Sequence, residues 1–599
     1  MGLEFLADLA DPARLIGPIF DKELRVSSRR RRYYLLRFAY IAGLSIAVLW
    51  VWMSFSMVPG GLSPAGRILR LSEAGKVMIT SVVWFQFCAA QFLAVTMLSS
   101  SISDEIYRRT LGVLMTTPMS SFQIVTGKLF SRLLQIMILL AISLPLLAIV
   151  RVFGGVPWDY LISSLCITLT AVVFAGSLSL YYSIRKHQAF LAMRQAFSVC
   201  LLLYLLPPIA ELLLALLYPN FYWGYFWILH YLNPFYILAQ NTQMMMTAAG
   251  AASSFLSWPL HCGIMMSLSV LVLARSMRSV RKVALKDAAG QLQLFRKGKR
   301  ISIGKAAVPA APPKKAGGKV KPVTGPPILW KEMRTPLIKQ EKIFQILALI
   351  FVAVALLAAY GFGIYYRYLD EEYMHVVYIV VYLLFGMART TAVAAGTISS
   401  EKEARTWPLL LTTPLEDRQI AWGKMIGAIL QGSPAWLLIA GHMLVFCLVG
   451  YIHPIAIIHV SMVVVPGAFF AAALGLYLSS SFKRTSTAVT AATLLLSGLW
   501  LFFPWCCCGV FIPSLGGIEL IFMANPFFAA GMTVAATAGT KNADLALSQM
   551  RYGFDGNDLG ILAATAMLLF IGLLYLFFAF LLASGAMDKF RSNIFSTDK

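Results

Sequence analysis

Charged residues are scarce in this 599-residue chain: Asp, Glu, Lys and Arg together make up 13% of it, against about 25% in soluble domains. Apolar residues make up 59%, and the mean hydropathy is +0.75. This composition excludes a soluble multidomain protein and a disordered chain, and it predicts a membrane protein.

Cysteine patterns for metal or disulfide chemistry are also lacking. The eight cysteines form no C-x-x-C pair and no zinc-type spacing. Cys506, Cys507 and Cys508 are consecutive within an apolar run, so we interpret them as small packing residues and expect no metal site. A secreted scaffold held together by disulfides is excluded as well.

Motifs for catalysis are lacking too. Every Gly-Lys pair is followed by a residue other than Ser or Thr, so the chain has no phosphate-binding G-x-x-x-x-G-K-[ST] loop. The seven histidines form no H-E-x-x-H pattern, and acidic residues are nearly absent from the apolar stretches. We therefore expect no enzyme in this chain. A secondary transporter, which normally carries intramembrane Asp, Glu or His for ion coupling, is disfavoured for the same reason.

Acidic residues are half as frequent as basic ones: 26 against 50, a net charge of +24. In so apolar a chain, we expect the basic residues to set membrane topology and to face anionic lipid headgroups rather than nucleic acid. Fourteen of them lie between residues 275 and 321, in a tract that also contains the Pro- and Ala-rich run VPAAPPKKAGGKVKPVTGPP. This composition predicts a flexible linker.

Twelve apolar stretches are each long enough to cross about 30 Å of hydrocarbon. The sequence thus predicts an all-α integral membrane protein with twelve transmembrane helices in two parallel six-helix repeats. The predicted units are residues 1–275, a basic cytoplasmic linker at 276–326, and residues 327–599. The predicted spans lie near 38–58, 77–100, 129–150, 157–183, 190–217 and 252–274 in the first half, and near 343–366, 374–398, 425–450, 455–481, 486–512 and 559–584 in the second.

Basic residues also predict the orientation. They are concentrated before the first predicted span, in the linker and after the last span, whereas residues 218–254 carry no charge when His230 is neutral. The positive-inside rule then places both termini and the linker in the cytoplasm, with six spans in each half. An even number of spans gives both halves the same direction in the membrane.

An internal duplication supports two such halves. SISDEIYRRTLGVLMTTPMSSFQIVTGK, residues 101–128, aligns with TISSEKEARTWPLLLTTPLEDRQIAWGK, residues 397–424, at an offset of 296 with 13 identical positions. About two would arise by chance at ordinary residue frequencies. PIFDKELR at 18–25 also matches PILWKEMR at 327–334. Asn-Pro-Phe occurs at 233–235 and at 525–527, where we expect it to begin a re-entrant or interfacial helix.

Both duplicated segments follow the second predicted span of their half. Glu105 and Arg109, like Glu401 and Arg405, are four residues apart, which predicts that each pair shares one helix face. A short apolar run follows, and Thr-Thr-Pro should end the helix there. One interpretation is an interfacial helix that only orders a loop; the other is a docking element for a cytoplasmic partner.

The pattern E-x-x-x-R-T…L…TTP…Q-I…GK resembles the segment after the second span of ABC-2 type permeases, the membrane subunits of one class of ATP-driven transporters. The sharp motif covers about 28 residues in each half. Two features depart from the family pattern: Arg109 and Arg405 replace a frequent glycine, and Trp407-Pro408 replaces leucine followed by an acidic residue. We call residues 101–128 and 397–424 the first and second coupling segments.

The resemblance implies a fused permease, expected to be an exporter in a prokaryotic inner membrane. Two copies of a separate ABC ATPase, which would carry the ATP and Mg²⁺, would dock on the coupling segments, so this chain needs no cofactor of its own. The substrate is not implied, and no nucleic-acid partner is expected. Alternatives are a secondary transporter or a membrane scaffold without transport. The residues expected to couple to the ATPase are Glu105, Arg109, Thr110, Pro118, Glu401, Arg405, Thr406 and Pro414.

Arg389 is a charged residue inside a predicted span. Its counterpart in the duplication is Leu93. A buried arginine must be paired or hydrated, so we expect it to face the interior of the bundle. It could bond a carbonyl of a broken helix or a polar side chain such as Gln86 or Gln91. Alternatively, it could contact an anionic substrate or a lipid phosphate.

Overall fold

The fold comes from a computed structural model that describes most of the chain. The described ranges are 63–107, 110–111, 119–186, 188–217, 230–247, 257–288, 325–334, 342–502, 523–539 and 560–592, together with residue 552 and separate residues between 19 and 52. Helices dominate them; the one β-type pairing among these residues is an isolated bridge between Ile452 and Ala538. The all-helical prediction is confirmed for this part of the chain.

The helices of the first half are α1 to α7. Their bounds are α1 Pro64–Ser99, α2 Ser103–Tyr107, α3 Ser121–Gly154, α4 Trp158–Arg185, α5 Ala189–Leu217, α6 Pro234–Met246 and α7 Trp258–Ala288.

The helices of the second half are α8 to α18. Their bounds are α8 Pro327–Arg334, α9 Lys342–Tyr365, α10 Glu372–Thr397, α11 Ser399–Glu403, α12 Trp407–Leu411, α13 Asp417–Gln431, α14 Ser433–Val449, α15 Ile455–Ser481, α16 Thr485–Ser497, α17 Pro526–Thr537 and α18 Ile561–Ser592.

Eight helices among the described residues are long and apolar enough to cross a membrane, and a bent pair makes a ninth. Together they cover nine of the twelve predicted spans. The prediction near 38–58 falls mostly outside the described residues. Those near 343–366 and 486–512 are described in part, as the apolar helix Ile350–Tyr365 and as α16.

The span predicted at 425–450 is broken rather than continuous. Helices α13 and α14 form it and are bent by 56° at Gly432. Pro434 lies at the start of α14, where it has no backbone N–H to continue the hydrogen-bond ladder. Thr390 and Trp436 fill the space next to Gly432, so a larger residue would not fit at this bend.

Two predicted boundary features have different outcomes. Asn233 and Asn525 cap α6 and α17 through their side chains, with proline as the next residue, so the prediction that Asn-Pro-Phe begins a helix is confirmed. The linker was predicted to begin at 276, but α7 continues to Ala288. Residues 289–324 lie outside the described part of the chain.

The two halves pack against each other through small and apolar side chains. One buried cluster combines Met193 and Ala196 of α5 with Ala395 of α10 and Ala488 of α16. An ion pair between Asp104 and Arg484 also crosses from one half to the other. Helices α10 and α15 are in close contact, because a Cβ at Gly475 would lie only 2.8 Å from the backbone oxygen of Thr391. The second coupling segment follows α10 directly.

Candidate coupling segments

The second coupling segment is a series of short helices between α10 and α13. Helix α11 ends in a Schellman motif: the N–H of Thr406 donates to the carbonyl of Glu401 (2.9 Å), and that of Arg405 donates to Lys402 (3.1 Å). Arg405 therefore has a φ of +55°, in the left-handed region that favours glycine. This explains why a glycine would suit the position. It also makes the predicted shared helix face of Glu401 and Arg405 wrong, because the helix ends between them.

A second turn of helix, α12, carries the apolar part of this segment. It ends at Leu411, directly before Thr412-Thr413-Pro414, so the predicted stop at Thr-Thr-Pro is confirmed for this copy. Trp407 is buried against Phe590 of α18, whereas the Leu409 side chain is 71% exposed. The short helix thus has one face packed into the bundle and one face open.

Glu401 points into the protein rather than away from it. Its carboxylate accepts from Lys424 Nζ (2.8 Å) and from Lys331 Nζ (2.9 Å), and its side chain is 10% exposed. Lys424 is 1% exposed and also donates to the carboxylate of Glu332 and the carbonyl of Thr397, both at 3.1 Å. The segment is therefore fastened to α13 and, through Lys331 and Glu332, to α8.

The first coupling segment has the same fastening. Lys128 donates to Glu105 (3.2 Å) and to the carbonyl of Ser101 (2.7 Å). In the duplication, these residues are equivalent to Lys424, Glu401 and Thr397, which make the same two contacts in the second segment. Lys22 also acts electrostatically on Glu105, as its counterpart Lys331 acts on Glu401. Glu105 is more open, with 29% of its side chain exposed.

A buried serine orients each short helix. The hydroxyl of Ser479 accepts from the backbone N–H groups of Ile398 (3.0 Å) and Ser399 (2.9 Å). The hydroxyl of Ser183 accepts from Ile102 and Ser103 at the same two distances. Such bonds satisfy donors that the start of a helix leaves open. The sequence comparison missed both serines, although they are separated by the same offset as the two segments.

The eight predicted coupling residues are thus divided. Arg405, Thr406, Pro414 and Thr110 are exposed, Glu105 is half-buried, and Glu401 is buried. Arg109 and Pro118 lie outside the described residues. The sequence prediction missed Lys331 and Glu332, although PILWKEMR repeats the Lys-Glu pair of PIFDKELR and so contained the signal.

Arg389 belongs to α10, and its side chain reaches the bend between α13 and α14. Its Nε donates to the carbonyl of Gln431, the last residue of α13, at 2.7 Å. The expected contact with a carbonyl of a broken helix is therefore confirmed, whereas the expectation that Arg389 faces the interior of the bundle is wrong, because the residue is exposed in this chain. Gln86 and Gln91 have other partners, Ser143 and Tyr204. The side chain of Gln431 donates to the carbonyl of Glu332 at 3.2 Å, so the bend is connected to α8.

Residues 364–583 match the family model described as ABC-2 family transporter protein. This stretch of the second half is therefore similar to ABC-2 type permease domains. Such a domain is the membrane component of an ABC transporter; it implies an ATPase partner and, with the apolar helices, a multi-pass membrane protein. Comparison with curated proteins gave no significant match.

Proposed function

We propose that the whole chain is a fused ABC-2 permease that exports its substrate with energy from two separate ATPase subunits. The two halves are parallel six-span units with both coupling segments and both termini in the cytoplasm. The observation that carries this proposal is the recurrence of one set of contacts: a lysine–glutamate pair and a serine hydroxyl hold both segments, at positions that the duplication aligns with each other.

The contacts divide the coupling residues into two roles. Exposed residues (Thr110 in the first segment; Arg405, Thr406, Leu409 and Pro414 in the second) form the ATPase-docking surface. Glu105 and Glu401 are positioning residues that hold the surface to the bundle. An ATPase that pushes on a segment fastened by buried ion pairs moves the attached helices with it, because the segment cannot shift alone without separating buried charges.

A continuous set of contacts leads from the second segment into the bundle. Glu401 is paired with Lys424, which bonds Glu332; the carbonyl of Glu332 bonds Gln431, whose own carbonyl bonds Arg389. Motion of the segment would therefore reach the bend at Gly432. Alternating access follows if this motion opens the path between the halves to one side of the membrane at a time.

Photo-crosslinking tests the docking surface. Benzoylphenylalanine replaces Leu409 in the affinity-tagged chain, and in a control it replaces Leu448, which is 79% exposed at the far end of α14. We expect residue 409, but not 448, to crosslink in native membranes to a chain that contains a G-x-x-x-x-G-K-[ST] loop. Equal crosslinking at both positions, or none at 409, would contradict the proposal. A partner at 409 without ATPase activity would favour a membrane scaffold.

A transport assay tests direction and coupling. The purified complex is reconstituted into vesicles, and ATP hydrolysis is measured with Leu409→Asp, which places a charge on the docking surface, and with Leu448→Asp as control. We expect hydrolysis to fall at least tenfold only with L409D. Substrate accumulation on the side where ATP is added would contradict export.

A further inference from the structure

Two arginines lie at similar depth on opposite sides of the contact between the halves. Arg389 is eight residues before the end of α10 at Thr397, about 12 Å along the helix, and Arg194 is five residues after the start of α5 at Ala189, about 8 Å. Both of these helix ends are on the side that carries the coupling segments. The end of α10 leads directly into the second segment, and α5 starts just after the end of α4, where Ser183 contacts the first segment. The two arginines thus differ in depth by only about one turn.

Packing brings the two positions together. Met193, next to Arg194, and Ala392, one turn from Arg389, belong to the same apolar cluster between the halves. The positive charge of Arg389 acts on Arg194. Both side chains are exposed in the isolated chain, and no carboxylate forms an ion pair with either among the residues that the structure describes.

Among the residues that the structure describes, most N–H donors of this pair have no hydrogen-bond partner. Arg389 uses Nε alone, for the carbonyl of Gln431, and the guanidinium of Arg194 has no hydrogen bond to a described residue. Each guanidinium has five N–H donors. Two like charges at this depth in a bilayer are costly unless an anion neutralises them. Guanidinium groups suit the oxygens of a phosphate group, which can accept from both arginines at once.

The surface beside Arg194 is apolar in the direction of the membrane centre. Leu201 and Leu205 follow Arg194 two and three helical turns later, on the same face of α5, and are 48% and 37% exposed. A ligand with a phosphate at Arg194 would therefore lay an apolar tail along these leucines. The duplication does not create a second site. The position equivalent to Arg194 in the second half is Thr490, and the position equivalent to Arg389 in the first half is Leu93.

We propose that Arg194 and Arg389 form a binding site for the phosphate group of an anionic amphipathic molecule, between the two halves. The identification of this molecule as transported substrate rests on the function proposed above, whereas its binding does not. The site is single and asymmetric, so one ligand binds per chain.

Binding to the purified chain without ATPase tests the site. Native mass spectrometry compares retention of phosphatidylglycerol with that of phosphatidylcholine, and a second arm measures binding of inorganic phosphate. We expect Arg194→Gln with Arg389→Gln to weaken binding of the phosphate-bearing probe at least tenfold. Arg185→Gln, which removes an arginine stacked on Tyr181 at the end of α4, should change it less than twofold.

The two arms distinguish the sources of the phosphate. Selective retention of phosphatidylglycerol assigns the site to a lipid-type headgroup, and binding of inorganic phosphate alone assigns it to a soluble phosphate compound; both support the anion site. Equal binding of every probe by the wild type and the double variant would overturn it. If the chain binds the phosphate-bearing probe but no ATPase docks on it, the proposed transport function fails and the anion site remains supported.

Stability provides a readout if the double variant does not fold. Because Arg194 has no polar partner among the described residues and is repelled by Arg389, Arg194→Gln alone should raise the melting temperature in phosphatidylcholine nanodiscs while it weakens phosphate binding. A lower melting temperature with unchanged binding would show a structural role for Arg194 and contradict the proposal.

Discussion

Replacing Lys424 by methionine should destabilise the protein more than any other single loss of charge in the coupling segments. The side chain is 1% exposed, and its ammonium group lies 2.8 Å from Glu401 and 3.1 Å from both Glu332 and the carbonyl of Thr397. Methionine is similar in length but carries no charge. The substitution therefore leaves the buried carboxylates of Glu401 and Glu332 close together without the ammonium group that lies between them.

The expected size follows from burial. Removing one partner of a buried ion pair costs about 3–5 kcal/mol, so Lys424→Met should lower the free energy of unfolding by about that amount. Lys128→Met should cost about 1–2 kcal/mol, because Glu105 is 29% exposed and water can solvate it. Lys331→Met is the control: half of its side chain is exposed, and we expect a loss under about 1 kcal/mol.

Unfolding in mixed detergent micelles measures these differences. The predicted order of destabilisation is Lys424→Met, then Lys128→Met, then Lys331→Met. A double variant with Glu401→Gln should lose less than the sum of the two single losses, because both act on one pair. Burial would not set the size of these losses if Lys424→Met were within about 1 kcal/mol of the wild type, or if Lys128→Met were the more damaging change.

The remaining predictions concern the serine contacts, a close helix crossing and the left-handed turn. Ser479→Ala should cost about 2 kcal/mol in unfolding free energy because it strands two buried N–H groups, whereas Ser461→Ala, an exposed serine bonded within its own helix, should be neutral; equal losses would contradict the assignment. Gly475→Ala should lower the melting temperature because its Cβ would meet the backbone of α10, while Gly441→Ala, with no atom within 4 Å, should not; a neutral Gly475→Ala would refute the crossing. Arg405→Gly should leave the melting temperature unchanged or raise it, yet weaken ATPase docking, and unchanged docking would remove Arg405 from the contact surface.

Helix positions were predictable where an apolar run had the length of a span. The run predicted at 455–481 coincides with α15, and that at 157–183 is within two residues of α4 at each end. The bend at Gly432 was missed even though Gly432-Ser433-Pro434 contains two helix breakers. The span was predicted from the number of consecutive apolar residues. That number does not show where a proline or glycine interrupts the backbone hydrogen bonds of the helix.

The coupling segments were found from the sequence, but the direction of their side chains was not. A Glu and an Arg four residues apart indicate an exposed pair on a helix, and nothing local shows that Arg405 turns the chain into the left-handed region. The partners of Glu401 are 70 residues before it and 23 residues after it. Pairing over such distances depends on tertiary packing, which helical spacing does not reveal.

Both coupling segments should lie on the same side of the membrane, and labelling of single cysteines can test this. Met119→Cys and Leu415→Cys are equivalent positions in the duplication, and both are partly exposed. Each is placed in a chain whose native cysteines are replaced by alanine, and a membrane-impermeant maleimide is added to right-side-out or inverted inner-membrane vesicles. We expect both positions to react in inverted vesicles only. Labelling of one position from each side would contradict two parallel six-span halves.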